Sequence, residues 1–287
     1  MKAAIAEIRK ELAGTYSGEE IDSLVFLIFE KLKGYSRTQF LLAGDSELAK
    51  EDLIEIEKMV SRLKNNEPIQ YILGGTWFYG LPFYCFPGVL IPRPETEELV
   101  QWIIQENKHT APTIMDIGTG TGCIAISLRK NIPNASVLAC DILPVCLETT
   151  SRNAELNNCE VSVFEYDILK GTPEINFPEL DIIVSNPPYI RKTEKPLMGK
   201  NVLDYEPELA LFVPNEKPLI FYDRIADFAL KHLKNEGLLY FEINEAFGQE
   251  CLQMLWQKGF SGEILKKDIH GKDRMIRSML HRISISG

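Results

Sequence analysis

Ile114-Met115-Asp116-Ile117-Gly118-Thr119-Gly120-Thr121-Gly122 reads as a short buried strand running into a glycine loop. Glycines at such a place let the backbone turn sharply and let a ligand come close to the main chain. From about residue 93 onward, strands and helices alternate around this stretch. Strands are expected over 114–117, 136–140, 161–165, 181–185 and 238–243, and helices over 122–131, 144–157, 217–234 and 246–258. Two more strands, near 262–267 and 274–284, end the chain. Such alternation predicts a parallel, doubly wound sheet with right-handed crossovers. The last two strands are close enough in sequence to pair antiparallel. No internal repeat or low-complexity segment interrupts the pattern.

The loop has the spacing G-x-G-x-G. A dinucleotide fingerprint would place its third glycine at position 123, where this chain has Cys123. With no basic residue nearby, nothing in the loop asks for a pyrophosphate, and a nucleotide-binding dehydrogenase is disfavoured. Three acids point elsewhere. Asp141 ends the second strand, and an acid there can accept both ribose hydroxyls of an adenosine. Asp167, after the third strand, is placed to meet an adenine amino group, and Asp116 the amino group of a bound amino acid. Each has a plain structural alternative: Asp141 a helix-start acid ahead of Pro144, Asp167 a solvated loop acid, Asp116 a strand-end turn residue. Together they suit a zwitterionic adenosyl amino acid, such as S-adenosylmethionine, better than a doubly anionic pyrophosphate.

The fourth strand, Asp181-Ile182-Ile183-Val184-Ser185, runs into Asn186-Pro187-Pro188-Tyr189. Ligand crevices of open α/β sheets lie at strand carboxyl ends. Proline has no backbone N–H, so Pro187 and Pro188 offer carbonyl acceptors and no competing donors. Asn186 adds a side-chain carbonyl. The set suits a planar –NH2 group with two protons to donate, with the Tyr189 ring against its plane. The bland alternative is a turn, since Asn-Pro and Pro-Pro mark loops.

The chain has 287 residues, enough for two domains, with 45% hydrophobic and 25% charged residues, as in a soluble globular protein. A net charge of −10 argues against a protein that wraps naked nucleic acid through its phosphates, and no direct sequence-specific nucleic-acid binding is expected. The six cysteines form no C-x-x-C pair and no metal-ligand spacing with the four histidines. They read as small buried hydrophobes, and no metal is expected. No apolar leader and no membrane span is apparent, so a cytoplasmic protein is expected.

Residues 1–74 look helical. Ile21, Leu24, Val25, Ile28 and Leu32 recur at helical spacing before Gly34, and Leu53, Ile56, Val60 and Leu63 repeat the pattern. A small helical bundle that grips a partner is the expectation. Residues 75–92 change character: two aromatic, β-prone runs flank Gly80-Leu81-Pro82 and read as a hairpin linking the bundle to a domain over 93–287.

Taken together, these motifs resemble those of the bacterial protein-(glutamine-N5) methyltransferases that modify peptide chain release factors. The resemblance rests on Pro68-Ile69-Gln70-Tyr71-Ile72-Leu73-Gly74, on Ile91-Pro92-Arg93-Pro94-Glu95-Thr96-Glu97 and on the two loops above. It continues through Tyr205-Glu206-Pro207 with Ala210-Leu211, and Gly271-Lys272-Asp273-Arg274. It implies a Rossmann-like, seven-stranded methyltransferase domain behind a small all-α substrate-recognition domain. It also implies S-adenosylmethionine as donor, and as acceptor the glutamine of a Gly-Gly-Gln loop in class I peptide chain release factors. Carried over by motif, Asp116, Gly118, Thr119, Gly120, Thr121, Gly122, Asp141, Asp167, Ile168 and Asn186 are expected at the donor site. Asn186, Pro187, Pro188 and Tyr189 are expected on the glutamine. One departure stands out: the residue after Asp167 is often aromatic in the family, and Ile168 replaces stacking on adenine by aliphatic packing. Arg93 and Glu95 are expected to buttress the pocket mouth or steady the hairpin. The nearest competing reading is a methyltransferase acting on an adenine or guanine amino group of RNA or DNA, since an extruded base presents the same pair of protons. A non-catalytic module that kept the donor fold is a further alternative.

Overall fold

The computed structural model describes residues 1–44, 46–171 and 177–282. The chain divides into two compact units: Met1–Gly75 with Gly199–Tyr205, and Thr76–Met198 with Glu206–Gly287.

The first unit is helical, with α1 (Lys2–Leu12), α2 (Gly18–Lys33), α3 (Arg37–Leu42), α4 (Lys50–Lys64) and α5 (Ile69–Leu73). Ser17 caps α2 reciprocally with Glu20, and Gly34 ends it in the left-handed region at φ 67°. Ile21, Leu24, Val25, Ile28 and Phe29 of α2 pack on Ile56, Val60 and Leu63 of α4. Leu53, which fits the same spacing, is half exposed and lies off that face. The Gly199–Tyr205 excursion carries a single helical turn, α9 (Lys200–Leu203), and its Tyr205 hydroxyl donates to the Asn65 carbonyl at 2.8 Å.

The strands β1 (Gly75–Phe78) and β2 (Leu81–Tyr84) come next, and from Thr76 onward they belong to the second unit. The sequence places their turn at Gly80-Leu81-Pro82. It is instead the two residues Tyr79 and Gly80, both at positive φ (49° and 73°), with Leu81 and Pro82 already in β2. Positive φ at both central residues is what matches the twist of paired strands. The Tyr79 N–H donates to Glu97 at 2.8 Å, which offsets the strain of a non-glycine there.

Then come α6 (Pro94–Glu106), β3 (Thr113–Ile117), α7 (Cys123–Asn131), β4 (Ser136–Asp141), α8 (Pro144–Leu156), β5 (Ser162–Glu165) and β6 (Leu180–Ser185). A two-residue pair, β7 (Ile190–Arg191) and β8 (Phe212–Val213), brackets a segment of short helices that includes α9 and α10 (Glu208–Leu211). The chain closes with α11 (Ile220–His232), β9 (Leu233–Glu242), α12 (Gly248–Gln257), β10 (Phe260–Lys267) and β11 (Asp273–Leu280). The 274–284 expectation reaches past 282, and its last two positions lie outside the described residues. The helix expected over 217–234 stops at 232, because Leu233 already pairs with Leu180 of β6.

One sheet of seven strands has the order β10-β11-β9-β6-β3-β4-β5. The five strands from β9 to β5 run parallel, and β11 pairs antiparallel with both β9 and β10. Successive residues feed opposite faces, as strand pleating requires. Ile114, Ile182, Val184, Tyr240 and Met275 pack with α6 and α7, while Met115, Ile183, Leu239, Phe241 and Ile276 pack with α11 and α12. With both faces covered, β6 is buried along its whole length, with Ile182, Ile183 and Val184 as its apolar centre.

Candidate functional site

Strand order locates the crevice before any side chain is considered. β3, β4 and β5 step outward in one direction, and the chain then returns to lay β6 on the other side of β3. Ligands of open α/β sheets bind at such reversals, beyond the strand carboxyl ends. The two loops that leave there are 118–122 and 186–189. The Ser185 hydroxyl donates to the Ile117 carbonyl at 2.6 Å and ties the two strand ends together.

A cavity of about 210 Å³ opens at this point, several times the ~30 Å³ of one water. Ten of the thirteen residues expected from sequence line it: Gly118, Thr119, Gly120, Thr121, Asp141, Asp167, Ile168, Asn186, Pro187 and Pro188. Asp116, Gly122 and Tyr189 stand outside the lining.

The glycine loop is cinched from below. Asp116 is wholly buried and accepts the Thr119 hydroxyl at 2.7 Å and the Ala125 N–H at 3.3 Å through one oxygen. Its other oxygen has no hydrogen-bond partner. Burial pushes its pKa up to about 7, against the pull of those two donors. Asp141 accepts the Gly120 N–H and the Leu143 N–H, each at 3.0 Å. Burial raises its pKa as well, opposed by those backbone donors. A carboxylate has about four lone-pair sites, so Asp141 retains acceptor capacity toward the cavity it lines. Gly122 has a different task. It starts α7 at φ 80°, and a Cβ there would lie 2.8 Å from the Thr150 methyl. Gly118 and Gly120 also have positive φ, but a Cβ on either would meet no atom within 4 Å.

Asp167 caps the short turn Ile168–Lys170 by accepting the Leu169 N–H at 3.0 Å. That turn sets Ile168 and Leu169 beside Ile142 and Leu143 as an apolar flank of the cavity. Cys123 and Cys146 also line it as buried thiols. Burial pushes Cys123 up to about 12 and raises Cys146 too, so neither is a ready thiolate. Arg93 is the one cation among the described lining residues, and the buried Glu206 engages it at 2.6 Å.

Sequence reasoning misses three parts of this site. Thr96, in the first turn of α6, lines the cavity and accepts from the Asn186 Nδ2 at 3.2 Å. Its hydroxyl donates to Glu242 at the end of β9 at 2.6 Å. Glu242 accepts the Tyr189 hydroxyl at 3.1 Å on its other oxygen. Glu206 accepts the Ile91 N–H at 3.1 Å as well as Arg93, and so staples the 206–210 segment to the cavity mouth. A carboxylate inside the apolar run 238–243 is the signal that would have found Glu242, because buried charges demand partners. Of the two roles expected for Arg93 and Glu95, Arg93 takes a place at the mouth; the carboxylate that steadies the hairpin is that of Glu97. Among the described residues no group of three or more His, Cys, Asp or Glu stands together to hold a metal, and no helix is long and apolar enough to cross a membrane.

Comparison with known proteins bears on the same residues. The family model described as the PrmC N-terminal domain matches residues 3–74, and the methyltransferase small domain matches 96–204. A Flavobacterium psychrophilum protein named release factor glutamine methyltransferase is 48% identical over 270 residues, spanning 93% of this chain and 94% of its own. One of the same name from Bacteroides thetaiotaomicron is 46% identical over 96% of this chain and 99% of its own. The chain belongs to the release factor glutamine methyltransferase family. Solved methyltransferases share this family member's fold at lower identity. A methyltransferase from Pyrococcus furiosus matches 79% of this chain and 100% of its own with a TM-score of 0.53 at 18% identity. The catalytic domain of hMettl16 matches 81% and 82% with the same score at 17%. At such identities the likeness concerns the fold alone.

Proposed function

We propose that this methyltransferase transfers a methyl group from S-adenosylmethionine to the side-chain amide nitrogen of the Gly-Gly-Gln glutamine in class I release factors. The observation that carries the reading is the meeting of a glycine loop with two acids and an acceptor-only Asn-Pro-Pro turn in one cavity. The residues present fit the donor. Asp141 offers carboxylate acceptors where a ribose would lie, Ile142 and Ile168 offer apolar cover for an adenine, and open space lies over Gly118 and Gly120. Among the described residues the lining holds no unpaired cation that would favour a polyphosphate. When bound, S-adenosylmethionine supplies an electrophilic methyl group on sulfur.

The protein's part is orientation. An amide nitrogen is a poor nucleophile because its lone pair is delocalised into the carbonyl. Asn186 Oδ1 and the Pro187 backbone carbonyl accept the two amide protons, hold the nitrogen in line and stabilise the positive charge that develops on it. No general base is needed, since an N-methylated amide that is still protonated is strongly acidic and loses its proton late. The helical unit serves recognition of the protein substrate. Curated relatives at 33–48% identity carry the name release factor glutamine methyltransferase, which disfavours the alternative of a nucleic-acid base as acceptor.

Mass spectrometry of a purified release factor after incubation with the enzyme and S-adenosylmethionine tests the reading. It expects one methyl on the Gly-Gly-Gln glutamine, lost in Asn186→Ala while donor affinity is kept. Label in RNA or DNA with none on the release factor overturns it.

A further inference from the structure

The geometry points to Thr96 and Glu242 as positioning residues that fix which way the Asn186 amide faces, an inference that rests on the proposed role of Asn186. Four side chains from three separate stretches of sequence form one chain of hydrogen bonds. Tyr189 donates to Glu242 at 3.1 Å, Thr96 donates to Glu242 at 2.6 Å, and Asn186 Nδ2 donates to Thr96 Oγ1 at 3.2 Å. Thr96 and Glu242 are 2% and 1% exposed, so water does not stand in for any of these partners.

The order of donors follows from the end of the chain. An ionised carboxylate only accepts. Two hydroxyls point at Glu242, and each has a single proton. Thr96 spends its proton there and can then only accept from Asn186. The Asn186 –NH2 must therefore turn toward Thr96, which leaves its carbonyl oxygen for the cavity. An asparagine amide is nearly symmetric in shape, and a half-turn about its last bond would present two donors to the substrate amide instead of an acceptor. The buried carboxylate thus sets the polarity of a group two hydrogen bonds of the network away. The loop sequence Asn186–Tyr189 does not contain that information. Tyr189 fits the same account: its hydroxyl occupies the second oxygen of Glu242, and the Asn244 side chain donates to its carbonyl at 3.2 Å, which holds the loop against β9.

Replacing Glu242 by glutamine keeps the shape and removes the direction. A glutamine amide can donate to Thr96, whose proton is then free to point at Asn186 Oδ1 and favour the turned amide. Thr96→Val removes the hydroxyl at similar volume and leaves the amide unheld, while Thr96→Ser restores the hydroxyl. The tests are methyl transfer to intact release factor, calorimetric binding of S-adenosylhomocysteine, and the side-chain amide resonances of Asn186. Thr96→Val and Glu242→Gln are expected to lower kcat by roughly 10- to 100-fold, with S-adenosylhomocysteine affinity within about twofold of wild type and Thr96→Ser near wild type. The double variant Thr96→Val/Asn186→Ala should be no slower than Asn186→Ala alone, because Thr96 acts only through Asn186. A purely structural Thr96 would give multiplied losses, and that result overturns the proposal, as does a wild-type rate in Thr96→Val. The Asn186 resonances need no turnover: one amide proton should be shifted and slow to exchange in wild type and in Thr96→Ser, and not in Thr96→Val. An unchanged Asn186 signal in Thr96→Val sinks the relay even where release factor methylation is confirmed. A lost signal supports it even where the acceptor proves to be something else.

Discussion

Gly118, Gly120 and Gly122 look equivalent in sequence, yet substitution should separate them. Gly122 sits at φ 80°, and a Cβ there would stand 2.8 Å from Thr150 Cγ2, 3.0 Å from Ile126 Cδ1 and 3.1 Å from Thr150 Oγ1. The left-handed backbone costs an L-residue about 1–2 kcal/mol, and forcing a methyl into packed neighbours costs about 1–3 kcal/mol more. Thr150 is fully buried and its hydroxyl donates to the Gly120 carbonyl at 3.1 Å, so it cannot swing aside without loosening the loop. Gly122→Ala should therefore lose about 2–5 kcal/mol, a fall in melting temperature of roughly 4–20 °C for a domain of this size. Gly120→Ala meets no atom within 4 Å and bears only the backbone penalty of about 1–2 kcal/mol. Its methyl instead takes up space at the lining, so it should weaken S-adenosylhomocysteine binding by far more than it lowers the melting temperature. Differential scanning fluorimetry and titration calorimetry on the two variants read both quantities. The reasoning is refuted if Gly122→Ala melts within a degree of wild type, or if Gly120→Ala is the less stable of the pair.

Three further outcomes follow from the same interactions. Asp116 holds its proton in the folded state up to about pH 7, against 3.8 when unfolded, so its contribution to stability is complete below pH 3.8 and is lost as pH rises through about 7. Between those values wild type should lose stability relative to Asp116→Asn by up to about 1.4 kcal/mol per pH unit; parallel pH curves from urea unfolding would contradict this. Glu206→Ala leaves the buried Ile91 N–H without its acceptor and should cost about 1–3 kcal/mol, while Glu206→Gln, which can still accept that bond, should recover most of it in the same unfolding assay. Among the six cysteines only Cys159 is partly exposed, so peptide mapping after brief iodoacetamide treatment of the folded protein should find it alkylated first; early labelling of Cys123 or Cys146 would mean that the cavity opens far more than its burial implies.

The strands were legible because parallel strands buried on both faces are plain apolar runs. The observed β3, β4 and β6 each lie within one residue of the expected limits. Helix α6 lies outside the expected elements, although Pro94 at its first position and Glu95 and Glu97 in its first turn are ordinary start signals. The 192–211 segment had no such signal. Its helical turns are short, Leu197 and Leu209 are exposed, and what fixes its limits is Tyr205 on Asn65 and Glu206 on Ile91, contacts more than a hundred residues away in sequence. The direction of a side chain was the least legible quantity. Asp116 at the end of β3 and Gly122 and Tyr189 in the two loops do not line the cavity, because composition says which groups are available and only the packing behind them says which way they turn.

The same division explains how this site is assembled. The reversal between β3 and β6 sets the loops after these two strands side by side, and here those loops are a glycine loop and an acceptor-only turn. Many chemistries share that arrangement. What narrows it here comes from elsewhere in the chain: a threonine at the start of α6, a carboxylate at the end of β9 and another after α9. Their hydrogen bonds go to cavity-lining residues or to the stretches that carry them: Thr96 accepts from Asn186, Glu242 accepts from Thr96 and Tyr189, and Glu206 accepts from Ile91 and Arg93. A substitution at Thr96 or Glu242 should therefore look like a defect at Asn186, and one at Glu206 like a defect at Arg93, although none of the three belongs to the glycine loop or the Asn-Pro-Pro-Tyr turn. The chemistry is written in two short loops, and its orientation in residues that only the tertiary structure brings beside them.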